Sequence, residues 1–144
     1  MGFLKKLPLL FLLLSTTFLF SCNQEKKEEE VSEKHVAIAF FDAIYNEKNI
    51  DKAILLSSAS FKNELEKYHT VSNIAHRLFN MRFDSVSLHT SAMRTQIIDE
   101  YNVEVTMTVQ FTGKRNGNIV KDFKKVKLIK ENDTWLVDQL LTLE

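Results

Sequence analysis

Residues 101–112, with the sequence YNVEVTMTVQFT, decide the fold class of this chain. Apolar and polar side chains alternate there at every position. An alternation with a period of two predicts a β-strand that buries one face and exposes the other. The apolar side chains of this strand are Tyr101, Val103, Val105, Met107, Val109 and Phe111.

The segments around this strand predict an antiparallel sheet. Asn116-Gly117 follows it and is a strong signal for a two-residue hairpin turn. The chain returns over residues 118–130, turns again at Asn132-Asp133, and ends in the strand TWLVDQLLTL. The segment SVSLHTSA, residues 85–92, supplies a strand ahead of these three.

The returning segment has one irregularity. Its apolar residues change parity between Phe123 and Val126. An extra residue in a strand shifts the parity of everything after it, so the change predicts a β-bulge near Lys124 and Lys125.

Before the strands, the apolar residues recur at helical spacing. Ser32 and Asn49 are suited to cap the first two helices, Ser60 caps a third, and Ser72 starts a further piece. The predicted helical segments are 33–46, 50–58, 61–69 and 73–81. Helices followed by an antiparallel meander form an α+β domain, in which the helices cover the apolar face of a curved sheet.

The first 30 residues have a different character. Lys5 and Lys6 precede an apolar run that ends at Phe20, which is the layout of a secretory signal peptide. The run is shorter than the ~20 residues that a membrane-spanning helix needs. Residues 19–22, LFSC, resemble the lipobox of bacterial lipoproteins, although Phe20 is larger than the residue usual there. This resemblance implies that the Cys22 sulfur carries lipid and that the preceding peptide bond is cut; the alternatives are an uncleaved anchor or an unmodified Cys22.

The resulting division of the chain is a signal peptide over residues 1–21, a lipidated Cys22 with a disordered tether over 22–30, and one domain over 31–144. The tether NQEKKEEE has no apolar surface to bury. The expected location is the bacterial cell envelope, anchored to a membrane by the lipid. Asn23 in place of Asp resembles lipoproteins of the outer membrane, which is therefore favoured over the inner one.

Charge and composition exclude several classes of function. The chain has 19 Lys and Arg and 19 Asp and Glu; four of each precede Val31, which leaves the domain with 15 of each. A neutral, exported domain is not expected to bind nucleic acid. Three glycines are too few for a phosphate-binding loop. No metal and no cofactor is predicted, because the four histidines lack metal-ligand spacing; they are His35, His69, His76 and His89.

Three segments resemble the nuclear-transport-factor-two-like, or cystatin-like, superfamily. They are FFDAIYNEKNIDKAILLSS, the helix from Phe61, and the last strand entered through ENDTWLVDQL. Small bacterial lipoproteins with a domain of unknown function are the nearest likeness, over Val31 to Leu141. The resemblance implies a cone of helices and sheet that can hold a pocket, with Tyr45, Tyr101 and Trp135 as candidate pocket residues. We expect Trp135 to pack as core near Phe41.

The sequence favours a non-enzymatic envelope lipoprotein whose domain binds a protein partner or a small ligand. A second candidate surface is a basic patch on the returning strand, formed by Lys121, Lys124, Lys125 and Lys127. One alternative is a pocket isomerase or hydrolase that uses Asp42 or Asp138 as its acid, although both are expected to be solvated. The other alternative is a ligand-free scaffold that forms a homodimer through the polar face of its sheet.

Overall fold

The structure, a computed structural model, describes residues 31–98 and 103–143. The predicted signal peptide, Cys22, the predicted tether and Tyr101 lie outside these ranges. Helical segments come first and strands follow, as predicted. The helices are α1 (Glu33–Tyr45), α2 (Ile50–Leu55), α3 (Ala59–Glu66) and α4 (Val71–Asn73), the last continued by a π-helical turn (Ile74–Leu78); the strands are β1 (Ser85–Ile97), β2 (Val103–Arg115), β3 (Asn118–Glu131) and β4 (Thr134–Leu141).

The first two helix caps are confirmed. Ser32 Oγ accepts the His35 N–H at 3.3 Å, and Asn49 Oδ1 accepts the Lys52 N–H at 3.0 Å. Each bond satisfies one of the backbone donors that the first helical turn leaves without an intrahelical acceptor.

The predicted caps of the last two helices are wrong by two residues. Ser58, and not Ser60, caps α3, because its Oγ accepts the Phe61 N–H at 3.2 Å. Thr70, and not Ser72, caps α4 through the Asn73 N–H at 3.1 Å. The chain between these helices turns sharply at His69, whose φ is 62°, so α3 and α4 are separate helices.

The π-helical turn after α4 leads the chain into the core. The Phe79 N–H donates to the Ile74 carbonyl at 3.0 Å, a bond that spans five residues and widens the helix. Both Phe79 and Met81 are buried just after it. The turn therefore places both side chains in the core.

The four strands form an antiparallel sheet in the order β1-β2-β3-β4. Asn116 and Gly117, with φ of 52° and 79°, make the predicted hairpin turn between β2 and β3. These two strands pair without interruption from Glu104–Ile129 to Arg115–Asn118.

The predicted bulge at Lys124 and Lys125 is therefore wrong. The parity change in β3 arises because Phe123 lies on the face of the sheet turned away from the helices, whereas Val126 lies on the helix side. The pairing shifts elsewhere: in β1 between Thr90 and Met93, and in β4 opposite Lys127 and Leu128.

The helices cover one face of the sheet, and the core lies between the two layers. Val105, Met107, Val109 and Phe111 of β2 contribute the sheet side of this core. We call the opposite side of the sheet the outer face. No helix among the described residues is long and apolar enough to cross a membrane.

One edge of the sheet is partly covered by the connection between α2 and α3. The Val137 N–H donates to the Leu56 carbonyl at 2.8 Å, and the Ser58 N–H donates to the Val137 carbonyl at 2.9 Å. These bonds satisfy β4 backbone groups that an edge strand otherwise leaves open.

Candidate functional site

Tyr45 lies at the end of α1 and points into the core. Its hydroxyl donates to the Met81 carbonyl at 3.3 Å, and its ring packs against Phe79, Phe83 and Phe111 at centroid distances of 5.5–6.2 Å. Burial raises the pKa of Tyr45 well above its ordinary value of 10.0, and the negative charge of Asp122 adds to this rise. Tyr45 is therefore a neutral donor that already has an acceptor.

Aromatic rings fill the interior of the cone around Tyr45. Phe41 packs edge-on against Phe40, Phe79 and Phe111, with centroid distances of 4.9–5.5 Å. Edge-to-face rings at such distances pack as tightly as other core side chains. A set of rings from α1, α3, β2 and the segment after the π-helical turn thus occupies the volume where the resemblance places a pocket.

Trp135 lies at the other end of the sheet. It is partly buried against the core, and the Lys130 ammonium lies 5.9 Å from its ring centroid. Trp135 therefore packs against the core as expected, although it is only partly buried and Phe41 is not among its ring contacts.

Tyr45 and Trp135 do not meet. Trp135 pairs with Lys130 of β3, whereas Phe111, which contacts Tyr45, pairs with Asp122. These two β3 positions are eight residues apart, a distance of roughly 26 Å along the strand. Tyr101, the third candidate pocket residue, lies outside the described residues.

The candidate acids are both engaged. Asp42 accepts from the Asn46 side-chain amide at 2.6 Å. The irregularity in β4 turns Asp138 toward the start of α3, where one carboxylate oxygen accepts from Ser58 Oγ at 2.7 Å and the other pairs with Lys127 Nζ at 2.9 Å. Its side chain is only 18% exposed, so the expectation of a solvated Asp138 is wrong. The hydrogen bond with Asp138 is the main cause that raises the pKa of Lys127.

A cleft of about 620 Å³ opens between α3 and the C-terminal half of β4. Asn63, Glu64 and Lys67 line it from α3, and Asp138 and Gln139 line it from β4. Its charges are already balanced, because Lys67 pairs with Glu64 at 2.6 Å and Asp138 pairs with Lys127. The cleft offers hydrogen bonds to a polar ligand, and no local sequence pattern predicts it.

The predicted basic patch is divided between the two faces of the sheet. Lys121, Lys125 and Lys127 lie on the outer face, whereas Lys124 pairs with Val109 and faces the helix side. Lys127 is neutralised by Asp138 and by Glu104, whose carboxylate lies 3.6 Å from its Nζ.

Apolar side chains complete a different patch on the outer face. Ile119 is 74% exposed and Phe123 is 39% exposed, and both share this face with Lys121 and Lys125. Lys114, which pairs with Ile119, adds a third lysine. We call Lys114, Ile119, Lys121, Phe123 and Lys125 the hairpin patch. The parity change in β3 was the sequence signal for its apolar members.

In the segments 31–98 and 103–143, no group of three or more His, Cys, Asp and Glu side chains is arranged to hold a metal ion.

Comparison with known proteins supports the fold and no finer assignment. No family model matches the sequence, and no curated protein matches it. Among solved structures, the chain is similar to a candidate ketosteroid isomerase from Shewanella frigidimarina, with a TM-score of 0.50 and 12% identity over 78% of this chain and 95% of that one. The helices and the curved antiparallel sheet have the nuclear-transport-factor-two-like α+β fold.

Proposed function

We propose that this chain is a lipid-anchored protein of the bacterial cell envelope whose domain binds a partner at its surface and is not an enzyme. The observation that carries the surface-binding part is the filled interior. Phe40, Phe41, Phe79 and Phe111 occupy the centre of the cone, and the Tyr45 hydroxyl is bound to Met81. A ligand or protein partner would then bind outside the core, in the cleft beside α3 or on the outer face.

The anchoring part rests on the sequence. Lys5 and Lys6, the apolar run and LFSC resemble a lipoprotein signal, and the polar tether suits a link between lipid and domain. Two or more acyl chains make a stable anchor, since each buried CH₂ contributes about 0.8 kcal/mol.

Anchoring is tested with Cys22→Ser in cells fed labelled palmitate. We expect the wild-type chain to incorporate label and to stay with membranes in about 1 M salt, where charge attraction is screened, and the variant to carry no label and to be released by that salt. Ser21→Ala, which keeps a small residue before the cysteine, is the matched control and should behave as wild type. Membrane fractionation of Cys22→Ser equal to that of wild type in about 1 M salt would contradict the anchor.

One solved structure similar to this chain is a candidate ketosteroid isomerase. The proposal that the domain is not an enzyme is therefore tested by adding a ketosteroid. The interior that would hold the substrate is filled, so we expect no isomerisation above the buffer rate. Saturable turnover that Asp138→Asn abolishes would revive the pocket-enzyme alternative and place it in the cleft.

A further inference from the structure

We propose that the hairpin patch docks on an anionic lipid surface, so that the domain lies with its outer face against the membrane. This inference deepens the proposed function and rests on it for the tether. Along β3 the outer-face side chains Ile119, Lys121, Phe123 and Lys125 are alternately apolar and basic.

The charge on the outer face is separated along the strands. Lys114 and Lys121 are near the β2–β3 turn and Lys125 lies at the middle of β3, and no described carboxylate pairs with any of the three. Among the described strand residues, the acids on this face are Glu104 and Glu131, and both lie toward the other end of the strands. The domain is neutral as a whole, so the patch creates a local positive field in which each lysine contributes about 1 kcal/mol beside an anionic membrane.

The apolar side chains of the patch suit the depth of lipid headgroups. Ile119 and Phe123 project from the same face as the lysines and remain exposed to water. Apolar groups at an interface enter the boundary between headgroups and acyl chains, while lysine stems lie along them and keep their ammonium groups at the phosphates.

A depression of about 260 Å³ beside Ile119 provides a place for one headgroup. Ser85, Ser87 and Thr112 line it together with Lys114. Hydroxyl groups and an ammonium are donors to phosphate oxygens, which fits an anionic phospholipid better than an uncharged surface.

The length of the tether permits this orientation. Nine residue steps separate Cys22 from Val31, a reach of at most about 30 Å when extended. Helix α1 begins at Glu33 on the opposite side of the sheet, and one helix layer is about 10–12 Å thick. The lipid and the hairpin patch can therefore contact the same membrane.

The charges also disfavour a second copy of this chain as the occupant. A two-fold dimer through the hairpin patch would bring the three lysines of one copy against the same three of its partner. Like charges across an interface cost free energy, whereas a phospholipid surface supplies the opposite charge.

Lysine acetylation read by mass spectrometry tests the proposal on the full chain. Vesicles contain phosphatidylcholine alone or with added phosphatidylglycerol. We expect Lys121 and Lys125 to react several-fold more slowly only on the anionic vesicles, and the protection to disappear in about 1 M salt, where screening acts within ~3 Å. Lys48 and Lys62, on the helix layer, are internal controls whose rates should not change.

Substitutions give a second, independent measurement in the Cys22→Ser chain, which lacks the lipid. Lys121→Gln with Lys125→Gln should weaken sedimentation with anionic vesicles by roughly 10- to 30-fold, since two lysines are lost. The matched control, Lys48→Gln with Lys62→Gln, removes the same charge and should bind as the parent does.

The outcomes separate this inference from the proposed function. If Cys22 is lipidated but Lys121 and Lys125 are never protected, the docking proposal is wrong and the anchor stands. Protection on anionic vesicles by a wild-type chain whose Cys22 proves to carry no lipid supports docking and removes the anchor. Protection that grows with protein concentration in the absence of vesicles would show that copies of the chain cover this face, and would overturn the proposal.

Discussion

At the residue scale, Tyr45 joins the first helix to the sheet. Its ring contacts Phe83 and Phe111, and its hydroxyl satisfies the buried Met81 carbonyl. The side chain is 2% exposed, so the phenolate would have to form without water. The folded protein therefore holds Tyr45 neutral at a pH where an unfolded chain would ionise it.

The pKa of Tyr45 predicts a loss of stability in alkali. Its pKa is raised in the folded state, so its contribution is fully present below about pH 10 and is lost as the pH rises above that value. The free energy of unfolding should fall by up to about 1.4 kcal/mol per pH unit from this group. Urea unfolding between pH 8 and 11 measures the slope.

Tyr45→Phe should flatten that slope and lower stability near neutral pH by about 1–3 kcal/mol, because the Met81 carbonyl loses its donor. Tyr68→Phe is the control for loss of a phenol hydroxyl and should lower stability near neutral pH by less, because that hydroxyl has only a long 3.5 Å bond to Glu64. The pKa of Lys127 is also raised, so Lys127 adds to the loss of stability at high pH. This loss is the same in every variant, and the comparison therefore isolates the effect of Tyr45. An unchanged slope in Tyr45→Phe would show that the phenol ionises in the folded state.

At the element scale, the contact between β1 and β2 depends on Gly113. Gly113 pairs with Val86, and a Cβ at this position would lie 2.3 Å from the Ser85 carbonyl oxygen and 2.7 Å from the Phe83 ring. Backbone cannot move away as a flexible side chain can. The two strands approach each other here because residue 113 has no side chain.

Gly113→Ala should therefore destabilise the domain by about 1–3 kcal/mol, the usual cost of overpacking. Thr108→Ala, also in β2 but on the outer face, is the matched control and should cost less than ~1 kcal/mol. Thermal and urea unfolding of both variants check the difference. Equal stability of the two variants would mean that β1 can shift at no cost.

The sequence predicted the element order well, because strand alternation and helix caps are local signals. It placed the α3 cap at Ser60, since Ser58 and Ser60 are equally suitable caps and no local signal distinguishes them. The choice is made by distant residues: the Ser58 N–H bonds to the Val137 carbonyl, and its hydroxyl bonds to Asp138. A local pattern carries no information about partners that lie 80 positions away.

The parity change in β3 shows a second limit. Two conformations produce the same sequence pattern: a bulge, or a regular strand with apolar residues on both faces. Pairing with β2 is continuous, so the second applies, and Phe123 stays on the outer face. Sequence patterns predict that apolar side chains are buried, and Ile119 and Phe123 are exposed instead. For this reason the hairpin patch could not be predicted as a unit.

At the scale of the whole molecule, the candidate pocket was less predictable than the fold. Tyr45 is part of the core and Trp135 packs against it, but the register of β3 places their neighbours eight residues apart. Whether a cone is hollow depends on how side chains from four elements fill it. Here Phe61 of α3 and Phe79 of the segment after the π-helical turn both pack on Phe40 of α1.

The division at Val31, which stays a prediction, can be tested on the whole molecule. The buried apolar residues of the described chain run from Val36 to Val137, and residues 23–30 are polar. A chain that starts at Val31 should therefore unfold in one cooperative transition. Its melting temperature should lie within a few degrees of that of the full Cys22→Ser chain, as measured by calorimetry and circular dichroism.

A chain that starts at Ala43 is the control, because it loses most of α1 and with it Phe40 and Phe41, both fully buried. Removal of one buried Phe side chain costs about 3–5 kcal/mol, so the loss of two approaches the entire 5–15 kcal/mol by which a domain is stable. This shorter chain should show no cooperative transition. If the Val31 chain behaves in the same way, residues before Val31 belong to the folded domain, and the tether cannot be the free link that membrane docking through the hairpin patch requires.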